Sequence, residues 1–274
     1  MRRGIVVAGM LLALGLAGTA EAQDSYQSDA SVVWSKSDVS STNEMTMLQL
    51  SYRWYFEEVN GMEGPIKLQP FLQRASWVEG GFGTGDDDAG SDGDGIVIGA
   101  RYVIPNSPVG VDVTYESFDA NDADLLNDLR LGAVVWLNDD NNLAIEAGFA
   151  FGEVSVLTSD FTVFDVGARY VMPIDDHHLE IAGRYRSVSV DVPGNDEDGI
   201  EVETRFFFNN QAYAGLSFST LDEEEDVWML SYGYSFPFGL DVGVSFGEGE
   251  AIGRKYPEVG GKDPAFGLEV NYRF

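Results

Sequence analysis

The stretch VGVDVTYE, residues 109–116, alternates strictly between apolar side chains and small or polar ones. Val109, Val111, Val113 and Tyr115 share one parity, and the positions between them are Gly, Asp, Thr and Glu. Because successive side chains leave opposite faces of a β-strand, this pattern predicts a strand with one apolar face and one polar face.

The same period-two pattern recurs along the chain and is interrupted by Gly, Pro, Asn and Asp. It predicts about fourteen strands, near 30–36, 44–56, 65–79, 95–104, 109–118, 125–137, 142–154, 160–172, 178–190, 200–209, 211–220, 226–236, 239–247 and 264–274. The segments near 30–36 and 65–79 are the least regular, so counts of 12 or 16 stay open. The fold class is therefore predicted to be all-β.

The connections between these segments fall into two classes that alternate. One class is short, as in 104–110, 137–142, 172–178, 208–211 and 236–239, whereas the other is longer, acidic and rich in Gly, as in 80–95, 118–128, 191–199, 221–226 and 247–263. Short turns at one rim and long loops at the other are typical of a transmembrane antiparallel up-and-down β-barrel. In such a barrel an even strand number puts both termini at the periplasmic rim.

A soluble β-sandwich also alternates, but its apolar faces meet each other. Here the apolar face often ends in aromatic residues, as an interfacial girdle does, at Trp54, Phe56, Tyr102, Tyr115, Phe206, Phe208 and Phe236. The opposite face is small or charged and would make a poor soluble core. The pattern therefore favours lipid contact and a location in the cell outer membrane.

The N-terminus has the features of a secretory signal. Arg2 and Arg3 precede a short apolar run, and Ala20-Glu21-Ala22 fits a small-x-small cleavage site. The alternative, an N-terminal membrane helix, needs about 20 apolar residues, more than this run supplies. The expected organisation is a signal peptide over 1–22 and a β-barrel over 23–274.

The charge of the chain restricts its partners. The formal net charge is -30 and there is no cysteine. Nucleic acid is excluded as a partner because it requires a basic face, and disulfides cannot hold the fold. No cofactor is expected; the expected partners are outer-membrane lipid, lipopolysaccharide, the barrel assembly machinery and small hydrophilic solutes.

One phrase occurs twice, as GARYVIP in 99–105 and GARYVMP in 167–173. Each copy leads into a short turn, with Tyr on the apolar face, Arg on the polar face and Pro expected to end the strand. Reflection about the turns predicts two cross-strand ion pairs, Arg101 with Asp112 and Arg169 with Glu180.

The parity rule predicts which charged side chains line the lumen. The basic members are Arg53, Arg101, Arg130, Arg169, Arg184, Arg186, Arg205 and Arg273, and the acidic members are Asp112, Glu116, Glu146, Asp165, Glu180, Glu201, Glu203, Asp241 and Glu269. The two sets nearly cancel, so most of the negative excess is expected in the loops. Charged side chains of both signs are how pores select solutes.

The chain ends in AFGLEVNYRF, residues 265–274. The apolar parity of this predicted last strand is Phe266, Leu268, Val270, Tyr272 and Phe274. A final aromatic residue that closes an alternating strand is similar to the signal read by the outer-membrane barrel assembly machinery.

The stretch YRWYFEEVNGMEGPIKLQPFLQRAS, residues 52–76, resembles the putative general porin family of Gram-negative bacteria. The matching residues are Tyr55, Phe56, Gly64, Pro65, Phe71, Leu72, Arg74, Ala75 and Ser76. In that family a tyrosine-rich strand, a Gly-Pro turn and a further strand follow one another. The resemblance implies a β-barrel pore and no catalytic residues.

Two further clusters have metal-binding chemistry. Asp86, Asp88, Asp92 and Asp94 could ligate Ca²⁺, although their spacing matches neither of the common calcium loops and a solvated loop is the favoured explanation. His177 and His178 fall in a predicted periplasmic turn, too far from the outer rim for a hydrolase site. The chain is therefore not expected to be an enzyme.

The sequence as a whole predicts a narrow, charged pore for passive diffusion of small hydrophilic solutes or ions. The acidic loops are expected to give it a mild cation preference. The alternative is a non-conducting structural or adhesive barrel whose acidic extracellular loops bind a partner or divalent cations.

Overall fold

The computed structural model describes residues 25–40, 43–60, 64–87, 92–120, 123–154, 159–191, 197–221, 227–248 and 264–274. The signal peptide predicted over 1–22 lies outside them and stays a prediction. The strands are β1 Ser25–Ser40, β2 Asn43–Asn60, β3 Trp77–Asp87, β4 Asp92–Val103, β5 Val109–Ala120, β6 Ala123–Trp136, β7 Leu143–Val154, β8 Ser159–Ile174, β9 His177–Val190, β10 Glu197–Phe207, β11 Ala212–Leu221, β12 Val227–Ser235, β13 Leu240–Glu248 and β14 Pro264–Arg273. A 3₁₀ turn, η1 (Ile66–Leu68), and one α-helical turn, α1 (Gln69–Leu72), lie between β2 and β3.

Each strand pairs antiparallel with the next one along the chain, and β1 pairs with β14 to close the barrel. The closing ladder runs from Asp29 opposite Arg273 to Ser37 opposite Ala265. Closure leaves no strand edge unpaired. The prediction of an all-β, up-and-down barrel of fourteen strands is confirmed.

The two faces of the barrel differ as the alternation predicts. The outward side chains are large and apolar, and many are strongly exposed, for example Ile98 at 59%, Leu216 at 48% and Phe149 at 45%. An apolar band around a whole molecule is far larger than the exposed patches of soluble monomers. The outer surface therefore suits lipid. In the part of the chain that the structure describes, no helix is both long and apolar enough to cross a membrane.

The strands extend into regions that the sequence predicted to be loops. Residues 80–95 were expected to form a long loop, but β3 reaches Asp87, β4 begins at Asp92, and Asp86 lies opposite Asp92 in the ladder. Likewise β5 and β6 extend to Ala120 and Ala123. Gly and Asp disfavour strands by weak local preferences, which pairing with a neighbouring strand overrides.

The strand predicted over 65–79 is the main error of the sequence analysis. Residues 66–72 form η1 and α1, and regular pairing starts only at Trp77. Two prolines, Pro65 and Pro70, remove backbone donors that a strand would need, and Pro70 lies in the first turn of α1, where a missing donor costs little. We call residues 64–76 the inner segment because they fold into the barrel.

The two copies of the repeated heptapeptide end differently. After the first copy β4 ends at Val103, just before Pro105, as expected. The second copy lies within β8, and Pro173 is paired opposite His178, so the expectation that it ends the strand is wrong. A two-residue turn follows, in which Asp175 adopts a positive φ of 53°, which Asp tolerates better than most residues.

Candidate functional site: the interior of the barrel

The charged side chains that the parity rule selected lie on the inward faces of their strands. Register pairs inward positions with inward positions, as in Arg101 opposite Asp112, Arg205 opposite Glu180 and Glu201 opposite Arg184. Glu116, Asp165, Glu180, Glu203, Asp241 and Arg273 are buried there. The interior is therefore rich in charge of both signs.

Both ion pairs predicted for the two hairpins are present. Arg101 Nη2 lies 3.2 Å from Asp112 Oδ1, and Arg169 Nη1 lies 3.5 Å from Glu180 Oε1. The second pair is diagonal, because the turn at Asp175 places Arg169 opposite Ala182. Glu180 instead lies opposite Arg205, with Arg205 Nη1 at 3.0 Å from Glu180 Oε2.

Several other inward arginines also form ion pairs. Arg130 Nη2 donates to Asp165 Oδ1 at 2.6 Å, and Arg205 Nη2 lies 2.6 Å from Glu203 Oε1. Arg273 Nη2 donates to Asp241 Oδ1 at 2.5 Å. Parity selected these residues but not their partners, because Arg130 and Asp165 meet across Gly148 of the intervening strand β7.

Sequence reasoning missed several interior polar residues. Glu79 accepts from Arg53 Nη2 at 2.6 Å, and Asp29 accepts from the Tyr55 hydroxyl at 2.6 Å. Glu79 was hidden because the phase of 65–79 was ambiguous. Tyr55 was hidden within a run of aromatic residues, where alternation cannot be seen. The inward parity of Arg53 was the one signal that could have pointed to Tyr55.

The interior has a charged wall and a wall of small side chains. Strands β6 to β10 carry Arg130, Glu146, Asp165, Arg184, Arg186 and Glu201, among others. Strands β11 to β13 carry Gly215, Ser217, Ser219, Ser231, Gly233, Gly243 and Ser245 at inward positions. At Gly233 a Cβ would come within 2.2 Å of the Tyr213 ring, so this glycine makes room for the ring inside the barrel.

The inner segment crosses the rim where the short turns lie and is tied to several strands. The Ile66 amide donates to the Asn210 carbonyl at 3.0 Å. Lys67 Nζ donates to the Tyr213 hydroxyl at 3.1 Å and to Glu269 Oε2 at 3.0 Å. On the opposite side of the mouth, Trp136 Nε1 donates to the carbonyl of Phe71 at 3.2 Å.

An apolar cluster holds the same segment inside the barrel. Leu68 and Phe71 pack with Val134, Trp136, Ala144, Val171, Phe207 and Tyr213, all buried. The Arg169 guanidinium lies 5.1 Å from the centre of the Phe71 ring, within cation–π range. Burying these side chains stabilises the position of the inner segment at the short-turn rim by roughly 1.5–3 kcal/mol for each large apolar side chain.

Lys67 stays charged in this setting. Burial lowers the pKa of its ammonium group. The nearby Glu269 carboxylate and the Tyr213 hydroxyl raise this pKa by more than burial lowers it, so the net pKa lies above the usual lysine value. A raised folded pKa means that the stabilisation is complete below the unfolded lysine value of about 10.4 and is lost only at still higher pH.

The described residues give no support to a metal site. Among them, no group of three or more His, Cys, Asp or Glu side chains could hold a metal ion. Asp86, Asp92 and Asp94 are exposed along the β3–β4 ladder, and Asp88 lies outside the described residues. The His177 ring contacts the Phe208 carbonyl at 2.6 Å, which suits a structural role in the turn.

A closed fourteen-stranded barrel, apolar outside and charged inside, is the architecture of a transmembrane β-barrel of the outer membrane. The family model described as "Putative general bacterial porin" matches residues 1–178, and the chain belongs to this family. The family prediction is thus confirmed, and with it the outer membrane as the location.

Solved structures support the same fold. The Acinetobacter baumannii outer membrane protein Omp33 is 19% identical, with a TM-score of 0.62, and the match covers 92% of this chain and 99% of that one. Salmonella typhi OmpF, solved in complex with daunomycin, is 10% identical with a TM-score of 0.50, over 90% of this chain and 97% of that one. Among curated protein sequences, none matches.

Proposed function

We propose that this porin is a narrow pore for passive diffusion of small hydrophilic solutes and ions. The observation that carries the proposal is the interior itself, where charged side chains of both signs on β6 to β10 lie beside inward Ser and Gly positions on β11 to β13. Side chains fill small barrels, whereas barrels of sixteen strands leave an aqueous channel. Fourteen strands with one wall of small residues leave room for water beside the charged wall.

We further propose that the short turns, both chain ends and the inner segment face the periplasm. Short periplasmic turns and longer extracellular loops are the general arrangement of outer-membrane barrels. The inner segment then closes much of the periplasmic mouth in this structure. The expected conductance is accordingly small, and it rises when the inner segment is displaced.

The charge distribution supports a mild cation preference. The formal net charge is -30, and the inward arginines and acids nearly cancel. Most of the negative excess therefore belongs to the loop rim, where it attracts cations before they enter. Barrel assembly machinery, lipid and lipopolysaccharide are the proposed partners, and no catalytic activity is proposed.

The test is conductance of the refolded mature barrel in a planar bilayer, with the reversal potential measured under a salt gradient. Discrete current steps with a cation-selective potential are expected. The double variant Arg101→Gln/Arg169→Gln removes two inward positive charges and is expected to shift the potential further toward cations. A potential that indicates anion preference in the unmodified protein would overturn the charge assignment.

The second candidate is a non-conducting structural or adhesive barrel whose acidic loops bind a partner or divalent cations. The blocked short-turn mouth favours it. A correctly refolded barrel that stays silent in the bilayer, even when Phe71 is replaced by Ala, would discard the pore and leave this candidate.

A further inference from the structure

One row of inward positions crosses four neighbouring strands beside the inner segment. Tyr213 of β11 lies opposite Gly233 of β12, Gly233 lies opposite Gly243 of β13, and Gly243 lies opposite Glu269 of β14. An aromatic ring and a carboxylate therefore stand at the two ends of the row. The two glycines between them leave this part of the wall without a side chain.

The Tyr213 side chain extends along the row over the glycines. A Cβ at Gly233 would lie 2.5 Å from Tyr213 Cζ and 2.7 Å from its hydroxyl oxygen, closer than real Cβ atoms come to other atoms. A Cβ at Gly243 would lie 3.5 Å from the same hydroxyl oxygen, which is an ordinary van der Waals contact. This position of the ring therefore requires glycine at 233 but not at 243.

Neighbouring side chains hold the ring from its other sides. The centres of the Phe207 and Tyr213 rings are 5.5 Å apart, and the guanidinium carbon of Arg205 lies 5.9 Å from the centre of the Tyr213 ring. Tyr213 is buried in this setting. The ring is therefore confined between its neighbours and the glycine wall, with its hydroxyl carried toward β13 and β14.

Lys67 of the inner segment joins the two ends of the row. Its Nζ donates to the Tyr213 hydroxyl at 3.1 Å and to Glu269 Oε2 at 3.0 Å. The ammonium reaches both acceptors because the Tyr213 ring brings its hydroxyl across Gly233 toward the strand of Glu269. A partly buried ammonium group that loses an acceptor is destabilised, since burying an incompletely paired charge is costly.

We propose that Tyr213 is a positioning residue for the short-turn mouth, which holds the inner segment inside the barrel through Lys67, and that Gly233 provides the space this requires. The role rests on the proposed closing of that mouth by the inner segment. When the ring leaves its place, Lys67 loses one of its two acceptors and the inner segment is displaced more often. The barrel wall, and not only the apolar cluster around Phe71, then sets how often the mouth opens.

The test measures how often Leu68 leaves its buried position. The chain has no cysteine and Leu68 is 2% exposed, so Leu68→Cys supplies a single thiol that a charged maleimide reaches only when the inner segment is displaced. In the refolded barrel in detergent micelles, adding Gly233→Ala is expected to raise the labelling rate about tenfold, the order expected for losing one hydrogen bond to a charged group. Gly243→Ala, the matched control, adds the same methyl group directly opposite and is expected to leave the rate unchanged.

Two further variants separate positioning from folding and packing. Tyr213→Phe keeps the ring and removes only the hydroxyl, so it is also expected to raise the labelling rate about tenfold. In a Lys67→Met background, Gly233→Ala is expected to add little, because Lys67 is the group through which Tyr213 acts. Equal rates for Gly233→Ala and Gly243→Ala, or an unchanged rate for Tyr213→Phe, would overturn the proposal. If Gly233→Ala does not fold, Tyr213→Phe decides alone.

Bilayer recordings of the same variants distinguish this inference from the proposed function. A barrel that conducts, but whose labelling rate does not respond to Gly233→Ala or Tyr213→Phe, contradicts the role of Tyr213 alone. Labelling rates that change as expected in a barrel that never conducts contradict the pore and leave Tyr213 as the residue that positions the inner segment.

Discussion

At the scale of single residues, the interior depends on charges that are satisfied in pairs. Glu180 is the clearest case, because its side chain is fully buried between Arg205 at 3.0 Å and Arg169 at 3.5 Å. A buried carboxylate between two arginines holds β8, β9 and β10 together. Removing its charge leaves two guanidinium groups near each other with no acid between them.

Glu180→Gln is therefore expected to destabilise the folded barrel by about 1–3 kcal/mol, since a buried charged hydrogen-bonding group is lost. The measurement is guanidinium-induced unfolding in detergent, followed by tryptophan fluorescence. Asp112→Asn is the matched control, because the Arg101–Asp112 pair at 3.2 Å is partly exposed and is worth at most about 1 kcal/mol. Equal losses in the two variants would contradict this account of Glu180.

At the scale of elements, the inner segment is the part of the chain that we propose controls how open the barrel is. It belongs to no strand, yet its side chains touch β6, β7, β8, β10, β11 and β14. A segment held by one apolar cluster and a few polar contacts can be loosened without unpairing any strand. The barrel wall and the blocked mouth can therefore be separated by mutation.

Phe71→Ala is expected to favour the displaced inner segment. A buried Phe truncated to Ala typically costs about 3–5 kcal/mol, which raises the population of open mouths by roughly a hundredfold or more. Single-channel recordings should show larger or more frequent openings. Phe82→Ala, on the exposed outer face of β3, is the matched control and should leave the recordings unchanged. Identical currents in the two variants would contradict a role for the inner segment in closing the mouth.

Lys67 gives this element a predictable pH response. Its pKa is raised by Glu269 and Tyr213 despite burial, so its contribution to the closed mouth is constant below pH about 10 and declines only as the pH rises through the raised value. Currents that depend on Lys67 should not change between pH 6 and 9. Lys67→Met is expected to increase openings at every pH in this window, and a pH-dependent difference from the unmodified protein there would contradict the assignment.

At the scale of the whole molecule, closure between the first and last strands makes the barrel. The Phe274 amide donates to the Ser28 carbonyl at 2.9 Å, and the Phe274 carbonyl accepts from Gln27 at 3.1 Å and Ser28 at 2.9 Å. The Phe274 ring stacks on Tyr272, with ring centres 5.8 Å apart. The last residue thus completes the seam between β1 and β14.

Deletion of Phe274 is expected to lower the stability of the closed barrel by about 1–4 kcal/mol, from up to three backbone hydrogen bonds at 0.5–1.5 kcal/mol each. The fraction of folded barrel after refolding, seen by heat-modifiable gel mobility, should fall. Phe246→Ala, the control, removes an exposed outward ring of β13. The folded fraction of this variant should fall less than that of the Phe274 deletion. No difference between them would mean that the terminal residue is not special to closure.

The distribution of charge is also a property of the whole molecule. Because we propose that the negative excess lies at the loop rim, the proposed cation preference should weaken as salt shortens the Debye length from about 10 Å at 0.1 M to about 3 Å at 1 M. Reversal potentials at matched salt ratios but rising ionic strength test this. A selectivity that is independent of salt would place its origin in the inward charges instead.

The sequence by itself determined most of the strands, a count of about fourteen and the two faces of the wall. The alternation at Val109 to Glu116 is enough to predict a strand and its two faces. Each strand meets lipid on one side and a polar interior on the other, so the polarity of each residue depends only on the face that it occupies. The inward arginines and acids followed from the same local pattern, whereas the family resemblance came from the stretch 52–76.

Only the tertiary structure decided where the inner segment goes and which charges meet. Phe71 lies inside the barrel because Trp136 and Phe207 are there to pack against it, and Lys67 is held by Glu269, about two hundred residues away. Contacts of this kind produce no periodic pattern in the amino-acid sequence of residues 64–76. The register of β8 and β9 was also decided by the tertiary structure. Moving the centre of the turn between them by one residue shifts every cross-strand partner by two, which places Arg169 opposite Ala182 instead of Glu180. Glu180 lies opposite Arg205 of β10.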